Sequence, residues 1–242
     1  MISGFEHQTL GDIVSDNYQA ATIFERYGLD FCCGGRSSLA EACRHRRVDL
    51  NAVVTEIQGL AAAGSDEVSF DDTLGLIAHI VERHHAYVRT ALPSIQAHLE
   101  KVVRAHGDRH PELHTIAGLF QAVSQELSSH MLKEEQVLFP YIRALAEAVL
   151  RGGPPPPDMF GSVQNPIRMM ESEHQQVGGE LANIRALSSG YEPPEDACTT
   201  YRLVYEELRA FEHDLHRHVH LENNVLFPQA MKLEAVTTAR GD

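Results

Sequence analysis

The chain contains no tryptophan, and only four of its 242 residues are cysteines. Cys32, Cys33, Cys43 and Cys198 are too few and too scattered for a disulfide framework, so they are expected as thiols in a reducing compartment. No uninterrupted apolar run approaches the roughly 18 residues that a membrane span requires. The opening MISGFEHQTL has neither the basic nor the apolar region of a secretory leader, which points to a cytoplasmic protein. Positive charge is scarce too: 20 Lys and Arg face 34 Asp and Glu, a net charge of −14. Such a surface repels phosphate backbones and anionic lipid, so neither nucleic acid nor membrane is an expected partner. Strand signals are missing, with no sustained apolar–polar alternation and no Asn-Gly or Asp-Gly hairpin turn.

Helix signals and histidine are abundant. Thr9 caps a helix carrying Leu10, Ile13, Val14, Ala21, Phe24 and Tyr27, with Gly28 placed to stop it. Ser38 and Glu41 form a capping-box pattern, and Asp49 precedes Leu50, Val53, Val54 and Ile57. Residues 61–69, AAAGSDEVS, read as a linker. Four long amphipathic segments follow, at about 70–105, 112–150, 162–188 and 195–232. Four consecutive prolines in RGGPPPPD forbid helix and make an extended connector after the second. The expected fold is all-α, an N-terminal helical module over residues 1–65 and an antiparallel four-helix bundle over 70–235.

There are 15 histidines, most of them expected on the solvated surface. A helical wheel picks out those that interrupt an apolar stripe. In the second long helix, His130 and Glu134 fill the gap between Leu127 and Leu138. In the fourth, His218 and Glu222 do the same, while His213, His216 and His220 lie off the stripe. His174 alone interrupts the third. In the first, His84 and His85 flank the stripe by similar angles, so periodicity leaves them undecided.

An internal repeat bears on that choice. HMLKEEQVLFP, from His130, matches HVHLENNVLFP, from His218, at a step of 88 residues; His85 and His174 are separated by 89, which favours His85. A lone inward histidine is ordinarily a satisfied core residue, but a buried glutamate without a partner is costly. Residues four apart share a helix face, so each H-x-x-x-E can address one centre. Four histidines and two glutamates exceed the needs of one tetrahedral zinc and suit two ions, each with two imidazoles and both carboxylates as bridges. Nitrogen and oxygen ligation without sulfur points to iron or manganese. Glu126 and Glu173 are candidates for outer partners of these ligands.

ERYGLDFCCGG, HHAYVRTALP, ELSSHMLKEEQVLFP, ESEH and HVHLENNVLFP, in that order, carry a resemblance to the iron–sulfur cluster repair di-iron proteins over nearly the whole chain. The resemblance implies a hemerythrin-like bundle with iron ligands at His85, His130, Glu134, His174, His218 and Glu222, and two iron ions bridged by oxo and carboxylate groups. Oxygen-carrying hemerythrin, which the bundle also resembles, has one more histidine, so both irons here are more open. The implied function is repair of clusters damaged by nitric oxide or oxidants, by iron donation. The implied alternatives are a soluble reductase of nitric oxide to nitrous oxide and a sensor of O2, NO or iron. Damaged iron–sulfur proteins are the implied partners, NO or O2 the small ligands, and a homodimer the implied assembly. Cys32 and Cys33 take a redox or iron-transfer role, with Gly34 and Gly35 expected to give access and a positive φ. Adjacent cysteines form only a strained, easily reduced disulfide. Cys43 and Cys198 are expected as small buried hydrophobes.

Overall fold

A computed structural model describes residues 4–17, 19–61, 72–157 and 159–239. Within them the chain is all helix and turn, with an isolated bridge between Thr9 and Ser38 as its single β interaction. Thr9 caps α1 (Leu10–Asp16) through the Asp12 N–H. The single helix expected up to Tyr27 is broken: α1 ends at Asn17, whose side chain accepts from the Gln19 N–H at 3.0 Å, and α2 (Ala20–Tyr27) starts anew. Asn competes for backbone groups through such Asx turns, which the apolar spacing does not register. Gly28 stops α2 at φ 66°. The Ser38–Glu41 capping box opens α3 (Leu39–Arg46), and α4 (Leu50–Ala61) completes the N-terminal group. The linker expected at 61–69 falls, apart from residue 61, outside the described residues.

The four long segments become four long helices. The first is α5 (Thr73–His79) running into α6 (Ala86–His106), and the second is α7 (Glu112–Lys133) running into α8 (Phe139–Arg151). The third is α9 (Gln164–Leu187); the fourth is α10 (Thr199–His220) running into α11 (Phe227–Thr238), which reaches past residue 232. Between the first and second members of each pair lies a π-helical turn, at Ile80–His85, Glu134–Leu138 and Leu221–Leu226. The repeated V-L-F-P explains two of them. Pro140 and Pro228 lack an N–H, and each ring would press on the carbonyl four residues back, at Gln136 or Asn224, unless the helix widened there. Pro154–Pro157 lie outside any helix, as expected.

Helix α6 packs on α7 and α10, α7 on α9, and α9 on α10, so the helices close a square in chain order with antiparallel neighbours. Two apolar clusters fill it. One holds Leu99, Phe120, Leu181 and Phe211 and continues into Phe24, Phe31 and Leu39 of the N-terminal helices. The other holds Ile77, Ile142, Met170 and Phe227 at the opposite end. None of the described helices is long and apolar enough to cross a membrane.

The N-terminal group docks on the π turn between α10 and α11. Asn224 Nδ2 donates to the carbonyls of Phe31 and Cys32, both at 3.2 Å, and Glu25 pairs with His213 and His216. His220, off the bundle's stripe, is nevertheless buried, because Phe31 covers it at 5.8 Å between rings. That burial drives its pKa down to about 4, so it sits there neutral. Gly34 and Gly35 are not among the positive-φ residues; their small size serves close approach instead. A Cβ on Gly35 would lie 2.5 Å from both Asn224 Oδ1 and the Phe31 carbonyl. Gly35→Ala is therefore expected to lower stability by about 1–3 kcal/mol. Thermal unfolding tests it, and an unchanged Tm would show that this contact yields freely. Cys43 is buried as expected, but Cys198 is exposed, because it is the N-cap of α10 at the bundle's edge.

Candidate metal centre

Between the two apolar clusters lies a polar layer, supplied mostly by the π turns and the residues just before them. His85 and Glu134 stand within π turns; His130 and His218 come one turn before Glu134 and Glu222. His174 comes from the uninterrupted helix α9. All six side chains are between 0% and 3% exposed.

They form two groups of four that share both glutamates. His85, Glu134, His218 and Glu222 bring their ligand atoms within 4.8 Å of one another, and so do His130, Glu134, His174 and Glu222. The imidazoles face each other through Nε2, at 3.1 Å for His85 and His218 and 2.9 Å for His130 and His174. Glu222 Oε1 is 2.9 Å from His218 Nε2 and Oε2 is 3.1 Å from His174 Nε2. Glu134 Oε1 is 3.2 Å from His130 Nε2 and Oε2 is 3.4 Å from His85 Nε2. Each carboxylate thus offers one oxygen to each pair of histidines. Phe139 stacks on His85 and Phe227 on His174, closing the layer with the phenylalanines of the two repeated V-L-F-P motifs.

This donor set suits a cation. Both oxygens of Glu134, and Oε2 of Glu222, are buried without a hydrogen-bond partner among the described residues. Two carboxylates in one dry layer repel each other, and burial penalises both, yet the surrounding imidazoles hold Glu134 below and Glu222 well below the usual carboxylate range. In exchange, against the opposing effect of burial, the glutamates raise His85 to about 10, and with Glu173 they raise His130 to about 9. A cation binding here competes with protons on those two imidazoles.

The outer nitrogens of three of the four histidines, His85, His130 and His174, are held from the polar faces of the helices. His85 Nδ1 is 2.6 Å from Glu135 Oε1, and Arg89 binds the same carboxylate. His130 Nδ1 is 2.8 Å from Glu173 Oε2, with Lys133 on the other oxygen. Glu173, a candidate from the sequence, thus serves His130 rather than its neighbour His174; half-exposed Glu126 is not among His130's partners. His174 Nδ1 is 2.9 Å from Asn223 Oδ1, and Asn223 Nδ2 donates to the Cys32 carbonyl at 3.4 Å.

His84, undecided by the wheel, is buried as well. It turns away from the layer to Asp214, 3.1 Å from its Nδ1, and stacks on His218. A π turn holds an extra residue, so consecutive side chains there do not follow 100° spacing, and both histidines find cover. Glu135, Asn223 and Asp214 carried no signal: each is a polar residue beside the apolar stripe, the position of any solvated side chain.

Cys32 and Cys33 lie near the layer but outside it. Their sulfurs are 3.9 Å apart and unbonded, and Asp30 Oδ1 accepts from both backbone N–H groups and lies 3.3 Å from Cys32 Sγ. The Cys33 thiol alongside it, then burial, push the Cys32 thiol well above its ordinary range. Cys32 is therefore a protonated thiol at neutral pH, and half-buried Cys33 is the more accessible of the two.

The profile of the hemerythrin HHE cation-binding domain matches residues 76–230, and that of a domain of unknown function (DUF542) matches residues 6–61. The iron–sulfur cluster repair protein YtfE of Yersinia pseudotuberculosis serotype IB is 35% identical over 232 residues, 95% of this chain and 99% of its own. The chain belongs to the iron–sulfur cluster repair protein family. The YtfE protein of Pectobacterium carotovorum subsp. carotovorum is 34% identical over the same shares of the two chains. In this family member the cation-binding domain spans the whole polar layer, whose His and Glu clusters could hold a metal ion.

Proposed function

We propose that the layer holds two iron ions, one between His85 and His218 and one between His130 and His174, with Glu134 and Glu222 shared by both. The observation that carries this is the sharing itself: two groups of four ligands with two glutamates in common suit a pair of ions and not one. Iron bound there supplies one-electron redox chemistry and ligand exchange. The chain's own part is to hold four imidazoles by Nε2, to keep two carboxylates ionised in a dry layer, and to limit the protein donors to about four per ion.

In this reading the protein repairs damaged iron–sulfur proteins by donating iron. Support comes from the family, whose relatives are named for cluster repair. The bundle over residues 70–235 stores the metal, and the module over 1–65 carries the thiol pair. Cys32 and Cys33 hand iron on, and the Cys32 thiol releases its proton as it takes the cation. Asn223 joins the two parts, since one side chain touches both His174 and the Cys32 carbonyl.

Metal analysis of freshly purified protein tests the site. About two irons per chain are expected, and a single zinc would overturn the assignment. A Cys32→Ser/Cys33→Ser double variant is expected to keep both irons and to repair a damaged cluster protein more slowly. Undiminished repair would remove the thiols from the pathway.

A further inference from the structure

The two halves of the centre are related by the sequence repeat, which makes their outer partners comparable position by position. The residue after each shared glutamate is Glu135 in one half and Asn223 in the other, 88 residues apart. Each holds Nδ1 of the histidine from the preceding helix: Glu135 that of His85 at 2.6 Å, Asn223 that of His174 at 2.9 Å. The repeat is kept there.

It fails at the other pair. Glu173 precedes His174 and holds His130 Nδ1 at 2.8 Å. Its counterpart, 89 residues earlier, is His84, which precedes His85 and should hold His218. It does not. His84 directs its Nδ1 to Asp214, and its ring lies flat on His218 at 5.7 Å with an interplanar angle of 7°. A parallel ring presents its face, whereas the Nδ1–H of His218 points along its own ring plane. His218 Nδ1 is accordingly buried with no hydrogen-bond partner among the described residues.

The consequence follows from the chemistry of a histidine ligand. An imidazole that binds a cation through Nε2 keeps its proton on Nδ1, and an acceptor there fixes the ring and makes Nε2 a better donor. Both imidazoles of the His130–His174 position have such an acceptor. Of the His85–His218 position, His85 alone has one. Resting on the two-ion reading above, we propose that the two cation positions are unequal: the His85–His218 position releases its ion, and the His130–His174 position retains it. The retained position is also the one tied through Asn223 to the Cys32 loop, so ion loss leaves that contact in place. Loss of one outer partner typically weakens metal binding about 10–100-fold, which sets the expected difference between the positions.

The test is an anaerobic titration of the metal-free full chain with Fe2+ alone, followed by equilibrium dialysis. His218→Ala leaves the His130–His174 position and is expected to bind one Fe2+ at the affinity of the tighter wild-type step. His174→Ala leaves the other position and is expected to bind one Fe2+ about 10–100-fold more weakly. Each variant holds a single ion, so repulsion between two ions plays no part in the comparison. Equal affinities, or the reverse order, overturn the proposal. Asn223→Ala, which keeps all six ligands, provides a check that does not depend on ligand loss. It is expected to weaken the tighter step towards the weaker one, and a loss confined to the weaker step overturns the assignment. A wild-type chain that binds fewer than two Fe2+ refutes the two-ion reading itself, a different outcome from two ions held equally.

Discussion

Glu222→Ala is expected to empty both cation positions at once. Its two oxygens face different histidines, Oε1 towards His218 and Oε2 towards His174, so its removal takes a ligand from each group of four. Loss of an outer partner alone costs about 10–100-fold, and loss of a direct anionic ligand exceeds that at both positions. The metal-free variant should keep its helical fold, since the two apolar clusters on either side of the layer are untouched. Metal content and helical circular dichroism, measured on one preparation, check both halves of the expectation. A variant that still binds two irons as tightly as the parent would show that Glu222 serves the metal-free core instead.

Removing the metal from the wild-type protein is expected to lower its Tm by on the order of 10 °C. A single ion present at about a thousand times its Kd contributes about 4 kcal/mol to folding. For a domain of this size each kcal/mol moves Tm by about 2–4 °C. The source of the effect is visible in the layer: without a cation, both Glu134 oxygens and Glu222 Oε2 are buried with only imidazole nitrogens at 3.1–3.4 Å and no well-formed hydrogen bond, and His218 Nδ1 has no hydrogen-bond partner among the described residues. Thermal unfolding before and after chelation, with metal loss verified, measures it. An unchanged Tm would mean that the six side chains satisfy one another and that the layer is not built around a cation.

The N-terminal helices show where reading in one dimension stops. Capping at Thr9 and Ser38 and the stop at Gly28 depend on a few neighbouring residues, and these appear in the structure as their local chemistry requires. The break at Asn17 is local too, but it rests on a side chain competing for the backbone, which apolar periodicity ignores. His220 is different in kind. It lies outside the bundle's stripe, as the wheel has it, and is buried by a second group of helices that the wheel does not contain. Gly35 likewise looks like a flexible turn residue until Asn224, from the far end of the chain, is seen pressed against it.

The sequence by itself determined the all-α bundle, because 3.6-residue periodicity, caps and prolines are short-range properties of the chain. It also singled out the six side chains that meet in the polar layer, since a buried stripe interrupted by His and Glu at a spacing of four admits few other placements. Between His84 and His85 periodicity is undecided and the repeat favours His85; tertiary structure showed where each goes, because a π turn changes the angle between consecutive side chains and both histidines are buried. It also decided which acid or amide holds each imidazole: Glu135, Glu173 and Asn223 sit on polar helix faces, where a partner and a solvated residue look the same. The inequality of the two halves belongs to that second kind. It depends on which way the His84 ring turns, and only the packing of His218 and Asp214 around it sets that direction.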